Sequence, residues 1–517
     1  MQNKMILKPN SKKELKIKEL DALADLLHIW RSEGKRIVLS HGDFDLLHVG
    51  HIRHFEEAKA MGDILVVTVT PDEYVNKGPH RPAFPQSLRA EMIAALDVVE
   101  YVAINNWATA VEAIKLLRPH IYAKGADKQS NEELNEVSKL EETAIREVGG
   151  EIKFTNGLIF SASNLLNRYL PLFPPEVNEY LDNFRQQHTV GQIFGYLDSW
   201  RDLKVMIVGE TILDEYVYCD ALGKSGKEAV LAMRYLSQEM YAGGILAIGN
   251  HLADFCGSIE LLTYLGDTDS HESFVRRHLK PNIKPTFIYK SNSPTIVKRR
   301  YVENYSLSKL FGVYQINDEL LKESEEKEFC AALEARLPAC DVVIVADYGH
   351  GLITPRVIEL LSSQAGFLAV NTQINAANIG FHTISKYKRT DYICIHEGEI
   401  RHDSRSRKGD LKELVIDLSR RLSCSTVMVT RGKNGTLLYR EGEGFFECPA
   451  FAVKVVDRIG AGDAVLALTS LCVAAGMPAD VIGFIGNLVG AEAVAIVGNK
   501  GSIKRVPLLQ SIESILK

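Results

Sequence analysis

HGDFDLLHVGH (residues 41–51) follows directly on the apolar run KRIVLS (35–40) and sets three histidines and two aspartates within eleven positions. The run reads as a β-strand, so the titratable groups stand where a buried strand ends. Such a cluster suits a metal site, an acid/base centre or a phosphate cradle. A zinc-binding helix wants histidines at i and i+4 beside an acidic residue. His48 and His51 are three apart, and no downstream His/Asp/Glu cluster completes a shell. An acid/base pair needs a substrate cavity that the stretch alone does not show. The phosphate reading explains more. A strand that turns into a helix leaves backbone N–H groups free at the positive end of the helix dipole. In open α/β sheets that edge is where ligands bind. Two histidines in the first turn can donate to phosphate oxygens as charge builds, and Gly50 permits close backbone approach.

Around this stretch the patterns alternate. LKIKELDALADLLHIWRSEG (15–34) has helical spacing, and after the cluster come DILVVTV (63–69), SLRAEMIAAL (87–96), EYVAI (100–104), ATAVEAIKLL (108–117) and HIYAKG (120–125). Strand and helix in turn imply a parallel sheet covered on both faces. Residues 1–167 are therefore read as one α/β domain of Rossmann-like type, and the Pro-containing stretch 168–200 as a linker. A second α/β series fills 201–517, beginning at LKVMIVG (203–209) and resuming in DVVIVADYG, GFLAVNT, DYICI and STVMVTRG. Between these, 214–242 and 284–316 are rich in Tyr, Val and Thr and read as strands standing apart, as a lid.

The bulk numbers bound the organisation at two or three domains. At 517 residues the chain exceeds one core. A net charge of −6 gives no electrostatic case for nucleic acid or an anionic membrane surface. No apolar run is long enough to span a bilayer, and the lysine-bearing N-terminus lacks the apolar core of a secretory signal. The eight cysteines are scattered without a CxxC pair, which fits reduced thiols in a cytoplasmic protein.

In the second half, DRIGAGDAV (457–465) places Gly460, Ala461 and Gly462 between a strand and a long helix. Glycines there allow an anion hole of backbone N–H groups. Asp463 stands where a carboxylate can take a proton from an attacking hydroxyl. GKSGKE (223–228) lacks the upstream glycine of a P-loop.

HGDFDLLHVGH resembles the GxFDxxHxGH signature of the cytidylyltransferase-like nucleotidyltransferases. NKGPHRP (76–82), SLRAEMIAAL (87–96), YAKGAD (122–127) and FSASNLL (160–166) fall, in order, where that family has its KG…RP, RxxxL, KGxD and STTxII segments. The resemblance implies that His48 and His51 hold the triphosphate and stabilise the α-phosphorus transition state. It implies nucleotide or phosphate contacts for Asp43, Phe44, Lys77, Lys124, Gly125, Asp127, Ser161 and Ser163. His41 departs from the Asn or Tyr usual in relatives.

KVMIVGETILDEYVY (204–218), YAGGILAIGNHLADFCG (241–257), VADYGHGLIT (345–354), VTRGKNG (429–435) and the GAGD segment are similar, in order, to the ribokinase-like PfkB carbohydrate kinases. That resemblance implies Asp463 as catalytic base and Gly460, Ala461 and Gly462 as anion hole. It also implies Glu399 in the metal/phosphate motif, and Asp214, Gly243 and Gly244 on the sugar. No direct protein ligand to a metal is implied. Departures stand at His396 (Asn in the NxxE motif), Ala247 (a sugar-contacting Asn), Asn371 to Gln373 (a DPK segment) and Arg458 with Ile459 (small hydroxyl residues).

Together the resemblances imply a bifunctional enzyme like the heptose kinase/adenylyltransferases, with the two domains in reversed order. A sugar or sugar-phosphate kinase using ATP and Mg²⁺ would feed a nucleotidyltransferase using ATP or CTP. The product would be an activated sugar or polyol for surface polysaccharide or lipopolysaccharide precursors. Lids of this kinase family pair, which implies a homodimer. A second reading keeps the transferase and makes the kinase-like half a non-catalytic module for dimerisation or sugar sensing. A third, purely regulatory ligand binding, sits poorly with intact HxGH and KGAD segments.

Overall fold

A computed structural model describes residues 15–75, 77–79, 81–125, 132–155, 173–452 and 455–517, and the strand read from the opening stretch is its first, β1 (Ile37–Gly42). With β2 (Ile64–Val69), β3 (Tyr101–Ile104), β4 (Ile121–Gly125) and β5 (Glu151–Thr155) it forms a five-stranded parallel sheet in the order β3-β2-β1-β4-β5. Neighbours in β1 point to opposite faces, as the two-residue period of a strand requires. Leu39 joins Leu23, Leu27, Ile114 and Ile145 on one side, whereas Val38 joins Phe55, Ala58, Ala90 and Ile93 on the other. Burial on both faces explains the near-continuous apolar strands. The strand order reverses between β1 and β4, so the crevice at their carboxyl ends is the topological switch point. Helix Val49–Lys59 starts there.

The chain forms two compact units, 1–191 with 506–517, and 192–505. The last residues, expected to end the second domain, cluster with the first unit instead. Within it the Arg185 guanidinium donates to the Ile515 carbonyl at 2.7 Å. The stretch read as a linker contains helices Pro175–Gln187 and Val190–Asp198.

The second unit contains β6 (Lys204–Gly209), β7 (Thr211–Lys224), β8 (Leu231–Gly244), β9 (Ser258–Thr268), β10 (Ile283–Pro294), β11 (Ile296–Glu303), β12 (Lys309–Gln315), β13 (Val342–Asp347), β14 (Leu368–Thr372), β15 (Tyr392–His396), β16 (Thr426–Thr430), β17 (Thr436–Arg440) and β18 (Gly444–Cys448). Nine of them form one sheet in the order β10-β9-β6-β13-β14-β15-β16-β17-β18, and four form a second in the order β12-β11-β7-β8. The large sheet is parallel as far as β16 and closes with two antiparallel strands. The small sheet is the expected lid, with one correction. β10, read as part of the lid, pairs in parallel with β9 from Ile283↔Ile259 onward, so only the segment from Ile296 belongs to the lid. Its Tyr- and Thr-rich texture is that of any strand and does not tell one sheet from another.

No helix among the described residues is long and apolar enough to cross a membrane. All eight cysteines are free, and all but Cys340 are buried.

Candidate functional site

His48 is the N-cap of helix Val49–Lys59, with extended backbone. Its Nδ1 accepts the Gly50 N–H at 3.1 Å, and the His51 Nδ1 accepts the His48 N–H at 3.4 Å. Backbone donors at both Nδ1 atoms leave the proton of each neutral imidazole on Nε2. The two rings stack with centroids 3.9 Å apart. Burial pushes His51 down to about 3, helped by His48 and Lys77, and burial also lowers His48. Both rings are therefore neutral near pH 7, each with an Nε2–H to donate. The buried His48 Nε2 has no hydrogen-bond partner among the described residues. Two parallel donors at a helix N-terminus suit the oxygens of a phosphate.

The neighbouring groups hold this pair in place. The Lys77 ammonium lies 2.8 Å from the Asp43 carboxylate. Burial alone would raise Asp43, but Lys77 and a hydrogen bond from Thr70 outweigh it and hold the carboxyl below its usual range. Phe44 adopts positive φ (46°) and sets its ring edge-on against His51, with centroids 5.3 Å apart. His41 binds Thr68 through Nδ1 at 2.9 Å, and burial keeps it neutral. Lys124, at the end of β4, turns its ammonium onto Ser138 (2.9 Å) and Glu141 (2.7 Å). Gly125 follows it with open space where a Cβ would stand. The structure thus brings His48, His51, Asp43, Phe44 and Lys77 together and pairs Lys124 with Ser138 and Glu141. Asp127, Ser161 and Ser163 lie outside the described residues.

Three supporting groups were not picked out from the sequence. His54 bridges Ser40 and Thr155, each at 2.7 Å, and so ties the helix to β1 and β5. Arg89 is fully buried and donates to the Asp43 and Thr70 carbonyls and to Asp72. Arg81 pairs with Asp45 at 2.6 Å, both almost wholly covered. The signals were present as the RP and RxxxL segments, but nothing local says that an arginine will be buried. Because that pair is desolvated, Arg81→Leu is expected to cost about 3–5 kcal/mol. Reversible denaturation of the full chain would show it as an early transition, whereas the half-exposed Arg36–Glu151 pair should give at most about 1 kcal/mol.

In the second unit, Gly460 takes φ 82° just before helix Ala461–Ala474, and a Cβ there would stand 2.2 Å from the Asn499 Oδ1. Only glycine meets both demands. Gly460, Ala461 and Gly462 lead into the first turn, which carries Asp463. The Tyr348 hydroxyl donates to Asp463 Oδ1 at 2.8 Å. Burial pushes Asp463 up to about 7, the Asp214 charge adds to the rise, and Tyr348 and Lys298 oppose it. Asp214 is buried on β7, its Oδ1 accepting from Arg300 (2.5 Å) and its Oδ2 from Asn499 (2.9 Å). Gly243 faces it so closely that a Cβ would stand 2.0 Å from Oδ2. Gly244 (φ 55°) then opens helix Ile245–Leu252, in which Ala247 is buried.

The departing residues have local partners. His396 caps helix Glu397–Asp403, its Nδ1 accepting the Gly398 N–H at 3.0 Å. Glu399 accepts the N–H groups of His396 (2.8 Å) and Ile374 (3.1 Å), and burial pushes its carboxyl up to about 7. Asn371 donates to the Cys394 carbonyl at 2.7 Å. The backbone N–H of Gln373 bonds the Asp347 carbonyl at 2.9 Å, and Ile459 packs on a cluster around Tyr216, Tyr241 and Val302. Ala461 N–H reaches the Arg458 carbonyl. No group of three or more His, Cys, Asp or Glu among the described residues could hold a metal ion.

Lys298 is the residue that sequence reading missed here. It is 6% exposed, and its ammonium has no carboxylate within ion-pair distance among the described residues. Burial lowers its pKa, and Asp214 and Asp463 are among the charges that act on it. The signal lay in register, since Lys298 pairs with Asp214 across β11 and β7.

Comparison with known proteins gives a matching assignment. Residues 39–175 match the family described as cytidylyltransferase-like, and residues 202–504 match the pfkB family carbohydrate kinases. The bifunctional protein HldE of Pelobacter propionicus is 43% identical over 120 residues, covering 23% of this chain and 25% of that protein. HldE of Koribacter versatilis is 26% identical over 322 residues, 61% of this chain and 64% of that protein. The match therefore spans between about a quarter and two thirds of the length of these curated relatives. The crystal structure of phosphofructokinase-2 from Escherichia coli in complex with potassium shares the fold at 13% identity, with a TM-score of 0.50 over 61% of this chain and all of that one. The chain belongs to the pfkB family of carbohydrate kinases and carries a cytidylyltransferase-like domain ahead of the kinase domain.

Proposed function

We propose that the chain makes a nucleotide-activated sugar in two steps, the first in the second unit. A sugar or sugar-phosphate hydroxyl gives its proton to Asp463 and attacks the γ-phosphorus of ATP, breaking its bond to the β–γ bridging oxygen so that ADP leaves. The N–H groups at Gly460 to Gly462 receive the charge. Asp214, Gly243 and Gly244 hold the sugar. In the first unit a sugar or polyol phosphate oxygen attacks the α-phosphorus of ATP or CTP, and pyrophosphate leaves. His48 and His51 donate from Nε2 to the phosphate oxygens, with Lys77, Lys124, Gly125, Asp127, Ser161 and Ser163 bordering the nucleotide. Mg²⁺ supplies charge neutralisation when bound. Glu399, whose two oxygens each accept one backbone N–H group, keeps lone pairs through which it would reach the ion directly or through water. The observation that supports this reading most is the stacked pair of neutral histidines at a helix N-terminus, with the buried His48 Nε2 lacking a partner among the described residues. Products for surface polysaccharide or lipopolysaccharide assembly, in a cytoplasmic setting, belong to the same proposal.

Mass spectrometry of products tests it, using purified full-length protein with Mg²⁺, ATP, CTP and a panel of sugars, sugar phosphates and polyol phosphates. The reading requires a nucleotide-linked product, and its absence across the panel would sink the transferase half.

A second reading, a kinase-like half that only binds or assembles, is favoured by one observation. Both Asp214 oxygens are already taken, by Arg300 and Asn499. It predicts identical products from wild type and Asp463→Asn.

Pairing through the lid is part of the proposal. Phe311 (54% exposed) and Val313 (48%) stand on edge strand β12, with Leu231 and Tyr235 on β8. Apolar exposure of this extent on a sheet marks a contact surface. Phe311→Asp is expected to convert a dimer to monomer in sedimentation velocity, without loss of the folded state.

A further inference from the structure

Asp457 begins the turn that leads to the Gly460–Gly462 backbone, and its carboxylate is buried. Four donors converge on it. Oδ2 accepts from the Tyr216 hydroxyl (2.7 Å) and the Gly498 N–H (3.1 Å), and Oδ1 accepts from the Ile459 N–H (3.1 Å) and the Lys309 ammonium. Two of the donors, Tyr216 on β7 and Lys309 on β12, belong to the lid. The other two belong to the backbone around the anion hole. The next residue after Gly498 extends the connection. Asn499 holds Asp214 Oδ2 at 2.9 Å and presses against Gly460. An unbroken set of contacts therefore runs from the lid edge through Asp457 and Asn499 to the acceptor carboxylate and the phosphate-binding turn. Lys309 brings the only cation within ion-pair distance of Asp457 among the described residues, and it sits on a strand whose every residue is exposed. Such a cation stays only while the edge strand lies over the site.

We infer that Lys309 is a positioning residue, a latch whose ammonium on Asp457 couples lid closure to assembly of the Gly460–Gly462 turn. The inference rests on the kinase reading for its purpose, but not for its test. When the lid lifts, Asp457 keeps its backbone donors and loses its counter-charge. A buried carboxylate without its cation is costly, so the turn loosens with the lid. Closure and anion-hole order then become one event, which keeps the hole unformed until the acceptor pocket is covered.

Hydrogen exchange by mass spectrometry on the full-length protein tests this without a known acceptor, comparing wild type, Lys309→Met and Lys309→Arg, each with and without Mg²⁺ and a non-hydrolysable ATP analogue. Lys309→Met is expected to speed exchange at least tenfold in both 309–315 and 455–463 while leaving the central strand 342–347 unchanged. Lys309→Arg should behave as wild type. Ammonium chloride should restore protection of 455–463 in Lys309→Met, and tetramethylammonium chloride at equal ionic strength should not, because only ammonium can donate to the carboxylate. Faster exchange confined to 309–315 would overturn the coupling, and so would an equal rise in 342–347. If the protection pattern follows expectation but no acceptor in the panel is phosphorylated, the kinase reading fails and the latch stands.

Discussion

Asp463→Asn is expected to lower phosphoryl transfer by about 10²–10⁴-fold, the usual worth of a positioned general base, and to leave nucleotidyl transfer unchanged. The comparison is made on ATP-dependent products in the same sugar panel. Its pH dependence follows from the environment. Burial and the Asp214 charge push the Asp463 carboxyl up to about 7. A base must be unprotonated, so the wild-type rate should rise as pH increases through about 7 and level off above it. The same shift has a sign for stability. Between the usual carboxyl range and pH 7 the folded chain binds a proton that the unfolded chain has released. Stability therefore falls as pH rises through that window. Above it, ionised Asp463 costs the fold on the order of a few kcal/mol. Asp463→Asn removes that cost and should raise the melting temperature at pH 8 while gaining little at pH 4. Equal thermal shifts at both pH values would show that Asp463 is not held protonated. A carboxylate retained against its own stability is what a working base looks like.

The His48→Ala/His51→Ala double variant should lose about 10²–10³-fold in nucleotidyl transfer, the measured scale for removing a donor to a developing negative charge, and keep phosphoryl transfer. Burial holds His51 at about 3 and lowers His48. No histidine inflection near pH 6.5 should therefore appear in the wild-type rate of nucleotidyl transfer. A rate that rose on acidification through pH 6.5 would mean that the charged imidazolium acts, against the neutral-donor account. His51→Gln offers a finer test, since its amide keeps a donor and should recover part of the loss.

Legibility in the sequence followed the range of the interactions. GxFDxxHxGH could be read because a strand end, a turn and a helix start are adjacent in the chain, and the capping bonds of His48 and His51 span only two or three residues. The GAGD turn was legible for the same reason. Lys298 was not, because its place beside Asp214 depends on pairing between β11 and β7, 84 residues apart. Arg89 was quoted as part of a motif, yet its burial depends on carbonyls at Asp43 and Thr70 that tertiary folding delivers. The assignment of β10 failed similarly, since a twelve-residue strand reads alike in either sheet.

By itself, then, the sequence determined the two α/β domains, their order and the groups that sit at strand-to-helix turns. Backbone hydrogen bonding and side-chain period are local and leave a pattern. Tertiary structure alone decided which charges are paired and which are buried. It paired Lys124 with Glu141, closed Asp214 with Arg300 and Asn499, raised Asp463 and joined the lid to Asp457. Each of these depends on desolvation and on partners brought from distant segments, and electrostatic energies change several-fold with that environment.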